Sequence, residues 1–201
     1  MKKNPFLLLW VGINIAGWAT WIVFATNFTI FQSSNVLSIL GFFIIGGILG
    51  ILQWLLLRRY FSIAWYEWLI ATTIGYGLGL YAFIWAALRD YYIVFNPPGT
   101  PVLEWDPLLG GALLGLALGC CQAIVWRPKL THIFVWVVVN VLGWSLGTFL
   151  PQLAAFLLQD VIAIDSTSLL STLFPLAFAA VVTGLTLVWF SGGQNELDTR
   201  S

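Results

Sequence analysis

Hydrophobic positions in this chain come in long blocks rather than in alternation. Six apolar runs, at 6–26, 37–57, 64–88, 108–126, 132–152 and 170–190, are separated by shorter segments that hold every charged residue except Glu67. Each run is about 20 residues, long enough to cross a hydrocarbon core about 30 Å thick at 1.5 Å per residue. The runs are continuously apolar and lack the period-two pattern of a membrane barrel strand. The pattern predicts an all-α membrane protein with six transmembrane helices.

A second pattern lies on top of the first. In the odd-numbered runs a Trp is followed seven residues later by Gly and an aromatic: Trp10 with Gly17-Trp18, Trp68 with Gly75-Tyr76, and Trp136 with Gly143-Trp144. A small polar residue stands four places after each Trp, as Asn14, Thr72 and Asn140. The even-numbered runs carry small-x3-Gly pairs, Gly46 and Gly50, Gly115 and Gly119, Ala180 and Gly184. Three residues beyond the second Gly come Gln53, Gln122 and, in the last copy, Leu187. The chain therefore reads as three tandem helical hairpins running in parallel, 6–57, 64–126 and 132–190, about a pseudo-threefold axis along the membrane normal. Residues 1–190 form one six-helix domain, and 191–201 are expected to be a polar, unstructured cytoplasmic tail.

Charge orients this arrangement. With six spans both termini share a side, and that side holds Lys2, Lys3, Arg58, Arg59, Arg127, Lys129 and Arg200 against Arg89 alone on the other. Positive-inside bias then places both termini in the cytoplasm. Arg58, Arg59, Arg127 and Lys129 are expected at lipid headgroups. Only 8% of residues are charged, 60% are hydrophobic and the net charge is zero, which excludes a soluble globular chain and gives no reason to expect a nucleic-acid partner.

Within the helices, Gly17, Gly46, Gly50, Gly75, Gly115, Gly119, Gly143 and Gly184 are expected at close helix contacts, because small residues let backbones approach where lipid supplies no hydrophobic drive. Asn14, Gln53, Thr72, Gln122 and Asn140 are expected in one polar layer in the cytoplasmic half, either holding the hairpins in register or tipping a pocket. Trp18, Tyr76 and Trp144 fall near mid-membrane, to pack against neighbours or to line a site for a flat hydrophobic molecule. Trp10, Trp54, Trp65, Trp68, Trp126, Trp136 and Trp189 fall near cytoplasmic span ends, where an interfacial belt is expected. The external segments 89–107 and 153–169 are expected as loops, the second lying on the membrane surface.

Catalytic and metal-binding signatures are missing: there is no His-Glu-x-x-His, Gly-x-Ser-x-Gly or Gly-x4-Gly-Lys-Ser/Thr. The adjacent Cys120-Cys121 read as small apolar packing residues. No catalytic residue, metal site or cofactor is assigned. At Gly46-x3-Gly50-x2-Gln53-Trp54-x3-Arg58-Arg59, followed by Trp68, Gly75-Tyr76 and Gly79, the chain resembles multi-pass membrane proteins of cyanobacteria that repeat a Gly-x2-Gln-Trp-x2-Leu-Arg segment. The resemblance covers 46–79 and, in part, 111–147, where Ala123 replaces the tryptophan. It implies a bacterial cytoplasmic or thylakoid membrane and no assigned activity. The expectation is a non-enzymatic scaffold or auxiliary subunit, associating with lipid, with itself or with another membrane protein. The alternative is a protein that binds or transports a small apolar or amphipathic molecule.

Overall fold

A computed structural model describes residues 3–27, 35–91, 105–126, 133–158 and 169–198. It contains six α-helices: α1 (Lys3–Asn27), α2 (Asn35–Leu57), α3 (Trp65–Tyr91), α4 (Asp106–Trp126), α5 (Ile133–Leu158) and α6 (Leu169–Asp198). Five of them, α2 to α6, contain apolar stretches of 18 to 22 residues, long enough to cross a membrane. In α1 the corresponding stretch among the described residues is Pro5–Gly17. A helix meets its own backbone hydrogen-bonding demand, which is why a long apolar run takes this form in lipid.

Two boundaries differ from the sequence expectation. α5 runs on through Pro151 to Leu158, so 153–158 belong to a helix rather than to a surface loop. α6 continues to Asp198, so most of the segment expected as an unstructured tail is helical. Once a helix is nucleated each further residue adds a hydrogen bond at little cost, and composition alone misplaces such ends.

Helices adjacent in sequence are adjacent in space, and α6 closes back on α1. Among the described residues, no pair of helices lying across this ring brings Cα atoms within 8 Å. Neighbours run antiparallel. Gly46 of α2 faces Thr73 and Gly50 faces Leu69 of α3; Gly75 of α3 faces Leu118 and Gly79 faces Leu114 of α4; Gly115 faces Asn140 and Gly119 faces Val137 of α5. A Cβ built on Gly46 would come within 2.8 Å of Thr73 Cα, and one on Gly75 within 2.9 Å of Leu118 Cα. Only hydrogen at those positions permits the observed approach.

Two hydrophobic clusters fill the ring. The first gathers Phe6, Trp10, Leu57, Phe61, Trp68, Trp126, Trp136 and Leu187 at the end that carries the α2–α3 turn. The second gathers Ile45, Leu49, Tyr76, Leu114, Leu118, Trp144, Leu176 and Ala179 farther along the axis. Tyr76 and Trp144 meet edge to face across α4, with ring centroids 6.0 Å apart. A girdle of polar residues separates the two clusters.

Candidate functional site: a polar girdle on the ring axis

Each helix contributes one buried polar side chain to the girdle: Asn14, Gln53, Thr72, Gln122, Asn140 and Thr183. The local cause is a shared spacing. On five helices the polar residue lies four positions from a residue of the first cluster and four from one of the second: Leu49–Gln53–Leu57, Trp68–Thr72–Tyr76, Leu118–Gln122–Trp126, Trp136–Asn140–Trp144 and Ala179–Thr183–Leu187. On α1, Asn14 follows Trp10 by the same step. Positions four apart stack along one helix face, so that face presents apolar, polar and apolar levels in turn.

Hydrogen bonds tie the girdle together in pairs. Asn14 Nδ2 donates to the Trp10 carbonyl at 2.8 Å, and Gln53 Nε2 donates to Asn14 Oδ1 at 2.8 Å. Gln122 Nε2 donates to Thr72 Oγ1 at 3.2 Å, joining α4 to α3. Asn140 Nδ2 donates to the Trp136 carbonyl at 2.9 Å, as Asn14 does to that of Trp10. Thr183 Oγ1 accepts from Trp10 Nε1 at 3.1 Å and donates to the Ala179 carbonyl at 2.8 Å, which joins α6 to α1.

One acceptor is left over by necessity. A carbonyl only accepts, so Asn14 must turn its amide nitrogen to Trp10 and its oxygen to Gln53. Gln53 must then offer Nε2, which leaves Oε1 buried and without a partner. Leaving such a group dry costs about 1–3 kcal/mol. Three indole nitrogens, of Trp68, Trp126 and Trp136, are likewise buried without hydrogen-bond partners. Their rings are in edge contact, with centroids 5.7 Å apart for Trp68–Trp126 and 6.1 Å for Trp126–Trp136.

The girdle surrounds a cavity bordered by Asn14, Gln53, Gln122, Asn140 and Thr183, with Tyr76 and Trp144 on one side and Trp10 and Trp136 on the other. Its volume is about 20 Å³. That is room for one water and far short of a quinone, isoprenoid or pigment. Among the described residues, no three His, Cys, Asp or Glu side chains approach one another closely enough to hold a metal ion.

Asn14, Gln53, Gln122, Asn140, Tyr76 and Trp144 thus border one cavity, and Thr72 joins them through Gln122. The side chain of Trp18, together with Arg127 and Lys129, lies outside the described residues. Arg58 and Arg59 are exposed, with the Arg58 guanidinium 5.0 Å from the Trp54 ring centre. All eight glycines expected at close contacts are buried.

Two features depart from the sequence reading. Trp10, Trp68, Trp126 and Trp136 are core residues, not members of an interfacial belt, whereas Trp65 and Trp189 are 57% and 59% exposed. The residue that faces the axis on α6 is Thr183, not Leu187, which belongs to the first cluster. The Gly pairing shows why. Gly75 faces Leu118, but Gly143 faces Ala179, one turn farther from Gly184 than its counterpart in α4 is from Gly119. α6 is displaced by about one turn, about 5.4 Å, relative to the register that aligning Gly184 with Gly119 assumes. The apolar–polar–apolar spacing around Thr183 was the signal that could have found it.

Comparison with family models, with curated proteins and with solved structures returns no match to this chain.

Proposed function

We propose that the chain is a non-enzymatic integral membrane protein that serves as a scaffold or auxiliary subunit of a membrane complex. In this reading its six helices are three tandem hairpins about a pseudo-threefold axis, and both termini face the cytoplasm. The matched pairs Gln53–Asn14 and Gln122–Thr72 support the hairpin repeat, as do the matched contacts of Gly17 with Leu49 and Gly75 with Leu118. Arg58 and Arg59, exposed at the α2–α3 turn, would rest among anionic headgroups at about 1 kcal/mol per charge.

The observation that carries the scaffold reading is the small size of the axial pocket. An axial pocket of about 20 Å³ is itself too small for a substrate-sized molecule. The eight close-contact glycines are buried within the chain and are not themselves open to a partner. Association then falls to the outer wall, where Trp65, Tyr66, Trp85, Trp105 and Trp189 are exposed. The test is to isolate the tagged full chain from its native membrane in mild detergent after cross-linking. A membrane polypeptide or a second copy recovered in fixed ratio is expected. A monomer that carries a bound small molecule and no polypeptide would overturn the reading.

One observation favours the alternative. Gln53, Gln122, Tyr76 and Trp144 border the same cavity, as a site for the polar end of an amphipathic molecule would require. Such a molecule would have to part the helices, and mass spectrometry of the same preparation would identify it.

A further inference from the structure

We propose that the axial cavity is a built hydration site, in which one water molecule sits inside the girdle and donates a hydrogen bond to Gln53 Oε1. Three observations lead there. The space is the size of one water. Gln53 is 2% exposed, and its free oxygen follows from the chain Trp10–Asn14–Gln53 rather than from an arbitrary choice of amide orientation. Trp136, 1% exposed and on the same cavity, contributes an indole N–H that also lacks a partner.

The chemistry of the wall selects water over other small occupants. No bordering residue carries a charge at neutral pH, so neither a cation nor an anion would have its charge balanced in this low-dielectric interior. An apolar atom would leave both Gln53 Oε1 and Trp136 Nε1 unsatisfied. A water can donate to the first and accept from the second, and a bridging water is nearly as favourable as a direct bond. The inference is independent of the scaffold reading and holds whatever partner the outer wall takes.

The experiment is solid-state NMR on the full chain, labelled with ¹⁵N at Gln and Trp, in bilayers of deuterated lipid. Magnetisation is transferred from water protons to side-chain nitrogens. The Gln53 carboxamide and the Trp136 indole are expected to receive it at short mixing times. The Trp126 indole, in the aromatic cluster and off the cavity, is expected to receive none. Equal build-up at Gln53 and Trp126 would overturn the proposal. In Gln53→Met, transfer to Trp136 should be lost; its persistence would show a water held without Gln53 and would overturn the assignment. Should that variant not fold, the comparison of Gln53 with Trp126 in the unmodified chain decides the matter.

Discussion

Trp10 and Trp68 stand at the same distance from their glycines, Gly17 and Gly75, and both are buried, yet only one indole finds an acceptor. Thr183 of α6 turns to Trp10. Gln53, at the corresponding level of α2, turns instead to Asn14, and the Trp68 N–H is left without a partner. Phe removes the same volume at either place; at Trp10 it also gives up a hydrogen bond, and at Trp68 it also removes a buried donor that had none. Trp10→Phe should cost about 0.6–1 kcal/mol more than Trp68→Phe, the range for such bonds in membrane and soluble proteins. Reversible unfolding in mixed micelles measures it. Equal losses would mean that the Trp10–Thr183 bond contributes nothing net. Of the girdle residues, Asn14, Gln53, Thr72, Gln122 and Asn140 were legible because a polar side chain in an apolar run stands out. Thr183 was hidden because threonine is common in such runs and the repeat drew attention to Leu187.

Helix pairs are set by where a side chain is absent. At Gly46 an added methyl would meet the α3 backbone, 2.8 Å from Thr73 Cα and 3.0 Å from the Thr72 carbonyl oxygen. Backbone cannot rotate away, so Gly46→Ala should destabilise by about 1–3 kcal/mol, the usual cost of overpacking. Gly12 is exposed on α1 and has nothing within 4 Å of its missing Cβ. Gly12→Ala should therefore stabilise by about 0.5–1 kcal/mol through helix propensity alone. Thermal unfolding of both variants in one detergent checks the pair, and a similar response from the two would contradict the packing account. Glycine spacing announced which residues approach a neighbour. It did not announce the register, because a small-x3-Gly pair fits a facing helix equally well one turn up or down. The α5–α6 pair took the displaced register, with Gly147 against Pro175 and Gly143 against Ala179.

Closure of the ring belongs to the whole molecule. α1 meets α6 through Gly184 with Leu7 and Trp10, and through the Trp10–Thr183 bond. A Cβ on Gly184 would lie 2.7 Å from Leu7 Cδ1, which puts the two Cβ atoms at most about 5 Å apart, so a disulfide at about 3.5–4.5 Å needs at most a modest shift. In a background with Cys120 and Cys121 replaced by Ala, the pair Leu7→Cys and Gly184→Cys should therefore oxidise within one chain. The expected product is a faster-migrating monomer whose yield does not change with dilution. Dimers whose yield falls on dilution would mean that α1 and α6 meet in different molecules. Six antiparallel neighbours put both ends of the described chain on one side of the bundle, so the closing seam lies between its first and last helices.

Composition and block pattern were enough to establish an all-helical chain with apolar helices of membrane-crossing length, because lipid leaves a long apolar backbone no other way to pair its N–H and C=O groups. The same pattern located the residues able to approach one another. Which of them do so was decided by packing: the slip of α6 by a turn, the turning of four tryptophans inward, the closing of α6 on α1 and the shrinking of the axial space to one water. Those outcomes depend on how side chains from six separate helices share one volume, and no single stretch of sequence holds that information.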